Sequence, residues 1–355
     1  MTGRHICLMG PVPPPWGGVQ THMMELRARI RARGDRCSLI NYSRHRQPEH
    51  DDLFFPTSAR ELLATVLRLR PDVMHVHLGG SFFSRDAALF LVLAAIRRRP
   101  NLFTFHSGGY PTSDEGMRAS ALSLRGFALR RLNAVIGVNE QLVDTFKRYG
   151  VRSDKLHLIE PYAEGLDRAV VAQEPLPEAI EVFAARHQPF LLAVGLLEPE
   201  YGLDVQLAAF SRVRQQHANA GLVLIGSGSL QKTLHAAIGV HPERDHLLLA
   251  GDVPRPKTLA AIARADLLLR TTHYDGDALS VREALSLGTR VLATNNGMRP
   301  EGVHLLGKLD ADTLSAAISS ALASPVFVRG HSSSTGVDAM ESVLDLYRDL
   351  MRAGN

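Results

Sequence analysis

Short apolar runs alternate with helix-length amphipathic segments along the whole chain, and this alternation limits the fold more than any other feature. The first round is an apolar run at His5–Met9, a loop rich in Pro and Gly, a helical pattern over 19–33 and a second apolar run over 36–42. Apolar strands separated by helices are typical of a parallel sheet that is covered on both faces. The sequence therefore predicts an α/β fold.

The same alternation continues through two stretches of similar length. Because 355 residues exceed one ordinary core, we predict two Rossmann-like domains, residues 1–165 and 166–330, followed by a helix at 331–355 that packs back toward the first domain. A proline-bearing segment, 160–188, is predicted to be the interdomain linker with a partial helix. Ligands of such sheets bind beyond the carboxyl ends of the strands, so we expect the site in a cleft between facing domains.

Composition excludes several classes of protein. Cys7 and Cys37 lack metal-ligand spacing and predict no disulfide framework. The most apolar stretch, 87–96, is too short to span a bilayer, and the first ten residues are unlike a signal peptide. We therefore expect a cytoplasmic protein.

Charge is distributed unevenly between the halves. Residues 1–165 hold 23 Lys and Arg against 15 Asp and Glu, a balance of +8, whereas residues 166–355 hold 17 against 21, a balance of −4. A basic first half suits peripheral contact with anionic lipid at the inner face of the cell membrane, or a phosphorylated partner. A solvated helix face is the plainer alternative. Nucleic acid is not expected, because no recognition motif accompanies the charge.

Glycines follow many of the predicted strands. Such loops let backbone amides approach phosphate oxygens, and a helix N-terminus adds partial positive charge. A tight turn is the alternative at each single position, and the first pair does not form the three-glycine dinucleotide fingerprint. The glycines that we predict to contact phosphate are Gly17, Gly18, Gly195, Gly226 and Gly228.

The most specific motif is YDGDALSVREALSLG at 274–288, in which seven residues separate Asp275 from Glu283. Asp275 in the loop is suited to accept hydrogen bonds from sugar hydroxyls, and Glu283 in the helix is suited to hold a ribose diol. A capped helix with solvated acids is the alternative. The residues between them, whose amides would face the ligand, are Gly276, Asp277, Ala278, Leu279 and Ser280.

This motif resembles the signature of the family 4 retaining glycosyltransferases of GT-B fold (glycosyl transferases group 1). Similar stretches are LLAVGLLEPEYGLD at 191–204, IGSGSL at 225–230, LAGDVP at 249–254, GGVQTH at 17–22, RPDVMHVH at 70–77 and FTFHSGG at 103–109. The resemblance implies that Gly18 lies against the donor diphosphate and that His106 and Asp275 face the donor sugar. It also implies that Glu283 binds the nucleotide ribose.

The chain departs from the family in its expected phosphate cations. Leu196 and Tyr201 stand where the family usually has Arg and Lys. Three explanations are open. Cations from elsewhere in the chain neutralise the diphosphate, the amides of the glycine loops are sufficient for this, or the chain is a catalytically weak, binding member of the family. We favour the first, with Arg299, Arg255 and Lys257 as candidates.

The resemblance implies a nucleotide sugar as substrate, no cofactor, and a glycan or polyprenyl-linked glycan as acceptor, with the anomeric configuration retained. A sugar-nucleotide 2-epimerase of the same fold is the alternative enzyme, and a degenerate glycan-binding or partner-binding subunit is the alternative without catalysis. No metal is expected, because His75 and His77 lie two residues apart on a strand with no third ligand in view.

Overall fold

The computed structural model describes residues 3–13, 17–42, 52–96, 99–159, 166–272, 278–297, 299–324 and 339–353. The chain divides into two compact units, and each contains one parallel sheet. The first unit comprises Met1–Pro14, Gly18–Pro161 and Val337–Asn355, and the second comprises Pro15–Gly17 and Tyr162–Gly336.

The first unit follows the predicted alternation. Its described strands pair in the order β3-β2-β1-β4-β5-β6-β7, and every pairing is parallel. Its elements along the chain are β1 (His5–Met9), α1 (Gly18–Ala32), β2 (Arg36–Ile40), β3 (Leu53–Phe54), α2 (Ala59–Leu69), β4 (Val73–Leu78), α3 (Ser84–Ala95), β5 (Asn101–Phe105), α4 (Asp114–Met117), α5 (Leu124–Leu129), β6 (Ala134–Gly137), α6 (Glu140–Arg148) and β7 (Leu156–Leu158).

The second unit repeats the architecture, with its described strands in the order β10-β9-β8-β11-β12-β13 and all pairings parallel. Its elements, with the last helix of the chain at the end, are α7 (Arg168–Val171), α8 (Glu178–Arg186), β8 (Phe190–Val194), α9 (Leu203–Gln216), β9 (Gly221–Ile225), α10 (Gln231–Gly239), β10 (Leu247–Gly251), α11 (Arg255–Arg264), β11 (Leu267–Arg270), α12 (Leu279–Ser286), β12 (Arg290–Thr294), β13 (His304–Leu306), α13 (Ala311–Ala323) and, in the first unit, α14 (Ala339–Ala353).

Local sequence explains where the helices begin. Asn139 is the N-cap of α6, and its side chain accepts a hydrogen bond from the amide of Leu142 at 2.8 Å. Such a cap satisfies one of the amides that a helix N-terminus leaves unpaired, and losing it costs about 1 kcal/mol. Leu142 and Phe146, four residues apart, are both buried, so one face of α6 covers the sheet.

The segment 160–188 is more structured than a linker. In its described part it forms α7 and α8, and Ile180 and Phe183 of α8 are buried in the core of the second unit. Pro177, a residue that suggested a linker, is the N-cap of α8, and its carbonyl accepts from the amide of Ile180 at 2.9 Å. Proline suits this position because a helix start needs no amide donor there.

Helix α14 closes the core of the first unit. Val343 and Tyr347 are buried in the same apolar cluster as Ile6 and Leu8 of β1. The Tyr347 hydroxyl also lies 2.5 Å from Nδ1 of His75 on β4. The end of the chain is therefore part of the first unit's core.

The arginines around α1 face carboxylates. Arg29 lies 3.3 Å from Glu25 and 3.8 Å from Glu341, and Arg33 also pairs with Glu341. Arg36 lies 2.5 Å from Asp52. These pairs agree with the solvated-face alternative, and the lipid contact expected from the basic first half stays a prediction. None of the described helices is long and apolar enough to cross a membrane.

Candidate functional site

Each sheet reverses its strand order once, and the reversal marks where a ligand is expected. In the first unit it falls between β1 and β4, and in the second between β8 and β11. Ligands of open parallel sheets bind outside the carboxyl ends of the strands at such a switch point. Residues at the ends of these strands are therefore the first candidates.

The acidic motif of the second unit is described only from Ala278 onward. Residues 275–277 lie outside the described residues, so the roles predicted for Asp275, Gly276 and Asp277 stay predictions. Ala278 is the N-cap residue of α12, and Leu279 begins the helix. The motif thus leads into α12 beyond the end of β11.

Glu283 is buried in α12 and paired with an arginine. Nε of Arg255 donates to its Oε1 at 3.1 Å, and Nη2 lies 3.0 Å from the same oxygen. An unpaired buried carboxylate is costly, so the arginine offsets the loss of water and orients the acid. Arg255, which the sequence offered as a diphosphate cation, thus holds the predicted ribose ligand, and its predicted contact with the diphosphate stays a prediction.

Gly195, Gly226 and Gly228 lie in two loops that press against each other. A Cβ on Gly226 would lie 1.8 Å from the carbonyl oxygen of Gly195, and one on Gly228 would lie 2.5 Å from a neighbouring carbonyl oxygen. The amides of Gly195 and Gly226 donate at 3.0 and 2.9 Å to carbonyls at the ends of β9 and β10. Close packing thus requires Gly226 and Gly228, and the predicted phosphate contacts of all three glycines stay predictions.

An arginine that the sequence did not single out stands at the switch point of the second sheet. Arg270 ends β11, and its Nη1 donates to the carbonyl of Val194, the last residue of β8, at 2.7 Å. Its guanidinium carbon lies 4.8 Å from the centre of the Tyr201 ring, a cation–π geometry. A Cβ on Gly195 would lie 2.7 Å from Nη1. Positive charge therefore lies beside Tyr201, where the resemblance leads us to expect lysine.

Arg299 joins two strand ends. Its Nε donates to the carbonyl of Thr294 at 3.0 Å, and its Nη2 donates to that of Thr272 at 2.8 Å. Thr294 ends β12 and Thr272 follows β11, so both carbonyls lie at the carboxyl edge of the second sheet. Its position at this edge agrees with the predicted site, and its predicted contact with the donor stays a prediction.

Gly17 and Gly18 precede and begin α1 in the sequence. Gly18 is exposed, and no described atom lies within 4 Å of a Cβ built on it. Unlike position 226, position 18 does not require glycine for packing. As far as the described residues show, the space above its backbone is open.

Three histidines from separate elements meet at the carboxyl edge of the first sheet. His77 lies on β4, His106 directly follows β5, and His22 lies one turn into α1. Nδ1 of His77 is 3.2 Å from Nε2 of His106, and the ring centre of His22 lies 4.9 Å from that of His106. The sequence pointed to His106 but not to His22 as its neighbour.

His75 has a different role from His77. Its Nδ1 lies 2.5 Å from the Tyr347 hydroxyl, and its Nε2 lies 2.7 Å from Oγ1 of Thr104. Both ring nitrogens therefore serve the packing of α14 and β5 against β4. The ring centres of His75 and His77 lie 4.0 Å apart, but only His77 belongs to the three-histidine cluster.

Burial determines the charge of the three-histidine cluster. It lowers the pKa of His22 to about 4. Burial, and next the neighbouring histidines, lower the pKa values of His77 and His106 well below the usual range. All three rings are therefore neutral at pH 7.

We expect acid to destabilise the chain through this cluster. His22 ionises near pH 6.5 when unfolded but near pH 4 when folded, so the unfolded state binds more protons between these values. As the pH is lowered through this window, the free energy of unfolding should decrease by about 1.4 kcal/mol per pH unit for each such histidine. Urea unfolding of wild type and His22→Gln at pH 7, 6 and 5 checks this. The dependence of the free energy of unfolding on pH should be shallower in His22→Gln and unchanged in His235→Gln, because His235 is exposed. Equal dependence in all three proteins would contradict the lowered pKa of His22.

Sequence profiles of two families match the chain one after the other. The profile described as Glycosyltransferase Family 4 matches residues 16–162, and the profile described as Glycosyl transferases group 1 matches residues 178–325. A curated relative, a glycogen synthase of Mycobacterium tuberculosis, is 27% identical over 245 residues, which cover 68% of this chain and 56% of the synthase. The chain thus spans just over half the length of that relative.

Solved structures share the fold. An α,α-trehalose-phosphate synthase (UDP-forming) from Burkholderia xenovorans aligns with a TM-score of 0.68 at 12% identity, over 99% of this chain and 97% of its own. HepE from Anabaena, solved with UDP and glucose, aligns with a TM-score of 0.66 at 15% identity, over 99% and 97%. These structures confirm the predicted α/β, GT-B fold class.

Proposed function

The chain belongs to the family 4 glycosyltransferases of GT-B fold, and from this premise we propose that it transfers a sugar from a nucleotide-diphosphate donor to an acceptor hydroxyl. The observation that carries the proposal is the buried Glu283–Arg255 pair beyond the carboxyl edge of the second sheet. A buried acid oriented by an arginine is suited to accept hydrogen bonds from two adjacent hydroxyls. In a nucleotide these are the 2′- and 3′-hydroxyls of the ribose.

Arg270 is our candidate for the diphosphate cation that Leu196 and Tyr201 do not supply. It lies at the switch point of the sheet, beside Gly195 and against the face of Tyr201. A fixed guanidinium is suited to phosphate oxygens because it presents several donors in one plane. This arrangement supports the explanation in which the cation comes from another position in the chain.

The transfer itself needs no protein nucleophile. The acceptor oxygen attacks the anomeric carbon on the face from which the leaving group departs, and the bond from that carbon to the diphosphate oxygen breaks with its electron pair. The departing phosphate takes the acceptor's proton, and the configuration is retained. The protein then contributes positioning and stabilisation of the developing phosphate charge.

His106 is proposed to contact the donor sugar. Its Nε2 lies 3.2 Å from Nδ1 of His77, which leaves Nδ1 of this neutral ring to meet a sugar hydroxyl. Asp275 is proposed to contact other hydroxyls of the same sugar. A glycan or lipid-linked glycan in the assembly of cell-surface polysaccharide is the proposed acceptor, with UDP or GDP as the nucleotide and no cofactor.

The proposal is tested first by binding and then by products. A nucleotide sugar that binds only the folded chain stabilises it by about 2.7 kcal/mol at a concentration 100 times its dissociation constant, and raises the melting temperature by a few degrees. We expect such a rise with one class of UDP- or GDP-sugar. With acceptor, the same donor should yield nucleoside diphosphate and a glycoside whose anomeric configuration, read by NMR, matches the donor. Conversion of the donor to its 2-epimer without acceptor would instead identify an epimerase, and binding without turnover would identify a binding subunit.

A further inference from the structure

The histidine cluster of the first unit leaves buried nitrogen atoms without partners. His22 is 5% exposed and His77 is fully buried. Both ring nitrogens of His22 and Nε2 of His77 have no hydrogen-bond partner among the described residues. Burying an unsatisfied polar atom destabilises the folded chain, unless that atom meets a ligand. The cluster therefore has unused binding capacity.

The three histidines of the cluster are close enough for one ring nitrogen of each to meet a single metal ion. One ring nitrogen from each of His22, His77 and His106 lies within 4.8 Å of the other two. Three nitrogens bound to tetrahedral zinc at about 2.0–2.1 Å lie roughly 3.4 Å apart. Small rotations of the three rings would close the difference.

The ligands stand on well-anchored backbone. β4 and β5 pair in parallel with His77 opposite Thr104, and the amide of His106 donates to the carbonyl of Leu78 at 2.8 Å. The Tyr42 hydroxyl donates to the carbonyl of His77 at 3.2 Å. Sites built on strands and helices hold ligand geometry better than sites on loops alone.

We propose that His22, His77 and His106 form a binding site for a divalent transition-metal ion of the zinc class. Imidazole nitrogen suits Zn²⁺, Co²⁺, Ni²⁺ and Cu²⁺, whereas Mg²⁺ and Ca²⁺ prefer oxygen ligands. Three protein ligands leave a fourth position for water or another small ligand. His75 is not a ligand, because both its nitrogens are engaged with Tyr347 and Thr104. This proposal departs from the sequence-based expectation of no metal, and it shares His106 with the donor-sugar contact proposed above.

Cobalt provides the first test, because four-coordinate Co²⁺ has characteristic visible absorption. The full chain, freed of metal by a chelator, is titrated with Co²⁺ and then with Zn²⁺ as competitor. We expect one equivalent to bind with a tetrahedral spectrum, Zn²⁺ to displace it, and Mg²⁺ to have no effect.

His22→Gln is the informative variant. We expect it to weaken Co²⁺ binding more than about 100-fold, since loss of an outer-shell partner alone costs 10–100-fold. The matched control is His235→Gln, which removes an exposed histidine from α10 and should leave the spectrum unchanged. A tetrahedral spectrum that survives in His22→Gln, or no such spectrum in wild type, would overturn the proposal.

A measurement on wild type alone decides the matter if the variant does not fold. X-ray absorption of the chain loaded with one equivalent of Zn²⁺ reports the identity and distance of the ligands. We expect three imidazole nitrogens at about 2.0–2.1 Å and one further light ligand. One or two imidazoles with several oxygens would indicate adventitious surface binding and contradict the site.

Discussion

Glu283→Gln is expected to weaken binding of the donor nucleotide by about 100-fold while the chain stays folded. Each hydrogen bond from a ribose hydroxyl to a charged carboxylate contributes about 1.5–3 kcal/mol, and the amide loses the charge and one acceptor. A loss of about 2.7 kcal/mol corresponds to 100-fold. Titration calorimetry with UDP and GDP measures the affinity, and the melting temperature of the same samples reports folding.

Glu181→Gln is the matched control for this experiment. Glu181 also pairs with an arginine of the second unit, Arg264, at 2.6 Å, but its carboxylate is half exposed on α8. Its loss should leave nucleotide affinity unchanged. If Glu283→Gln binds nucleotide as tightly as wild type does, Glu283 is not the ribose ligand.

Arg270→Ala is expected to lower kcat/KM by about 100- to 1,000-fold. The leaving diphosphate gains charge in the transition state, and removal of one fixed donor to such charge costs about this much in other enzymes. The change also removes the hydrogen bond to Val194, so stability must be measured alongside steady-state kinetics. Arg264→Ala, which removes another arginine of the second unit, should leave kcat/KM unchanged.

A second substitution separates loss of charge from loss of packing. Tyr201 lies against Arg270 and occupies the place where the family usually has lysine. Tyr201→Lys, added to Arg270→Ala, should restore a substantial part of the activity because it returns a cation to this place. Full activity of Arg270→Ala alone would show that the diphosphate is neutralised elsewhere. No rescue by lysine, with normal folding and nucleotide affinity, would indicate that Arg270 acts through packing.

Much of the fold could be predicted because buried parallel strands and amphipathic helices carry their period in the sequence. The structure gives β1 the bounds that the pattern predicts, His5–Met9. β3 was not predicted, since two residues are too few to show a period. Helix α13 was not predicted either, because its many Ala and Ser residues give little contrast between faces.

The candidate site could be predicted only where its residues are close in sequence or at strand ends. Arg270 looked like the polar end of an apolar run, and its contact with Val194 joins residues 76 positions apart. A charge that ends an otherwise apolar strand was the available signal. His22 was missed because the buried face of α1 was predicted from the spacing of its apolar residues. A single histidine on that face does not repeat at helical spacing and gives no such signal. The pairing of Arg255 with Glu283 could not be predicted for the same reason, because these residues are 28 positions apart and meet only in the folded chain.

We propose that the second unit binds a nucleotide sugar through Glu283, with Arg270 at the diphosphate. The most direct measurement is a crystal structure of the full chain with the UDP- or GDP-sugar that gives the largest thermal shift. We predict that both ribose hydroxyls lie within about 3 Å of the Glu283 carboxylate and that the diphosphate lies beside Arg270. A nucleotide bound with its ribose away from Glu283 would contradict the account.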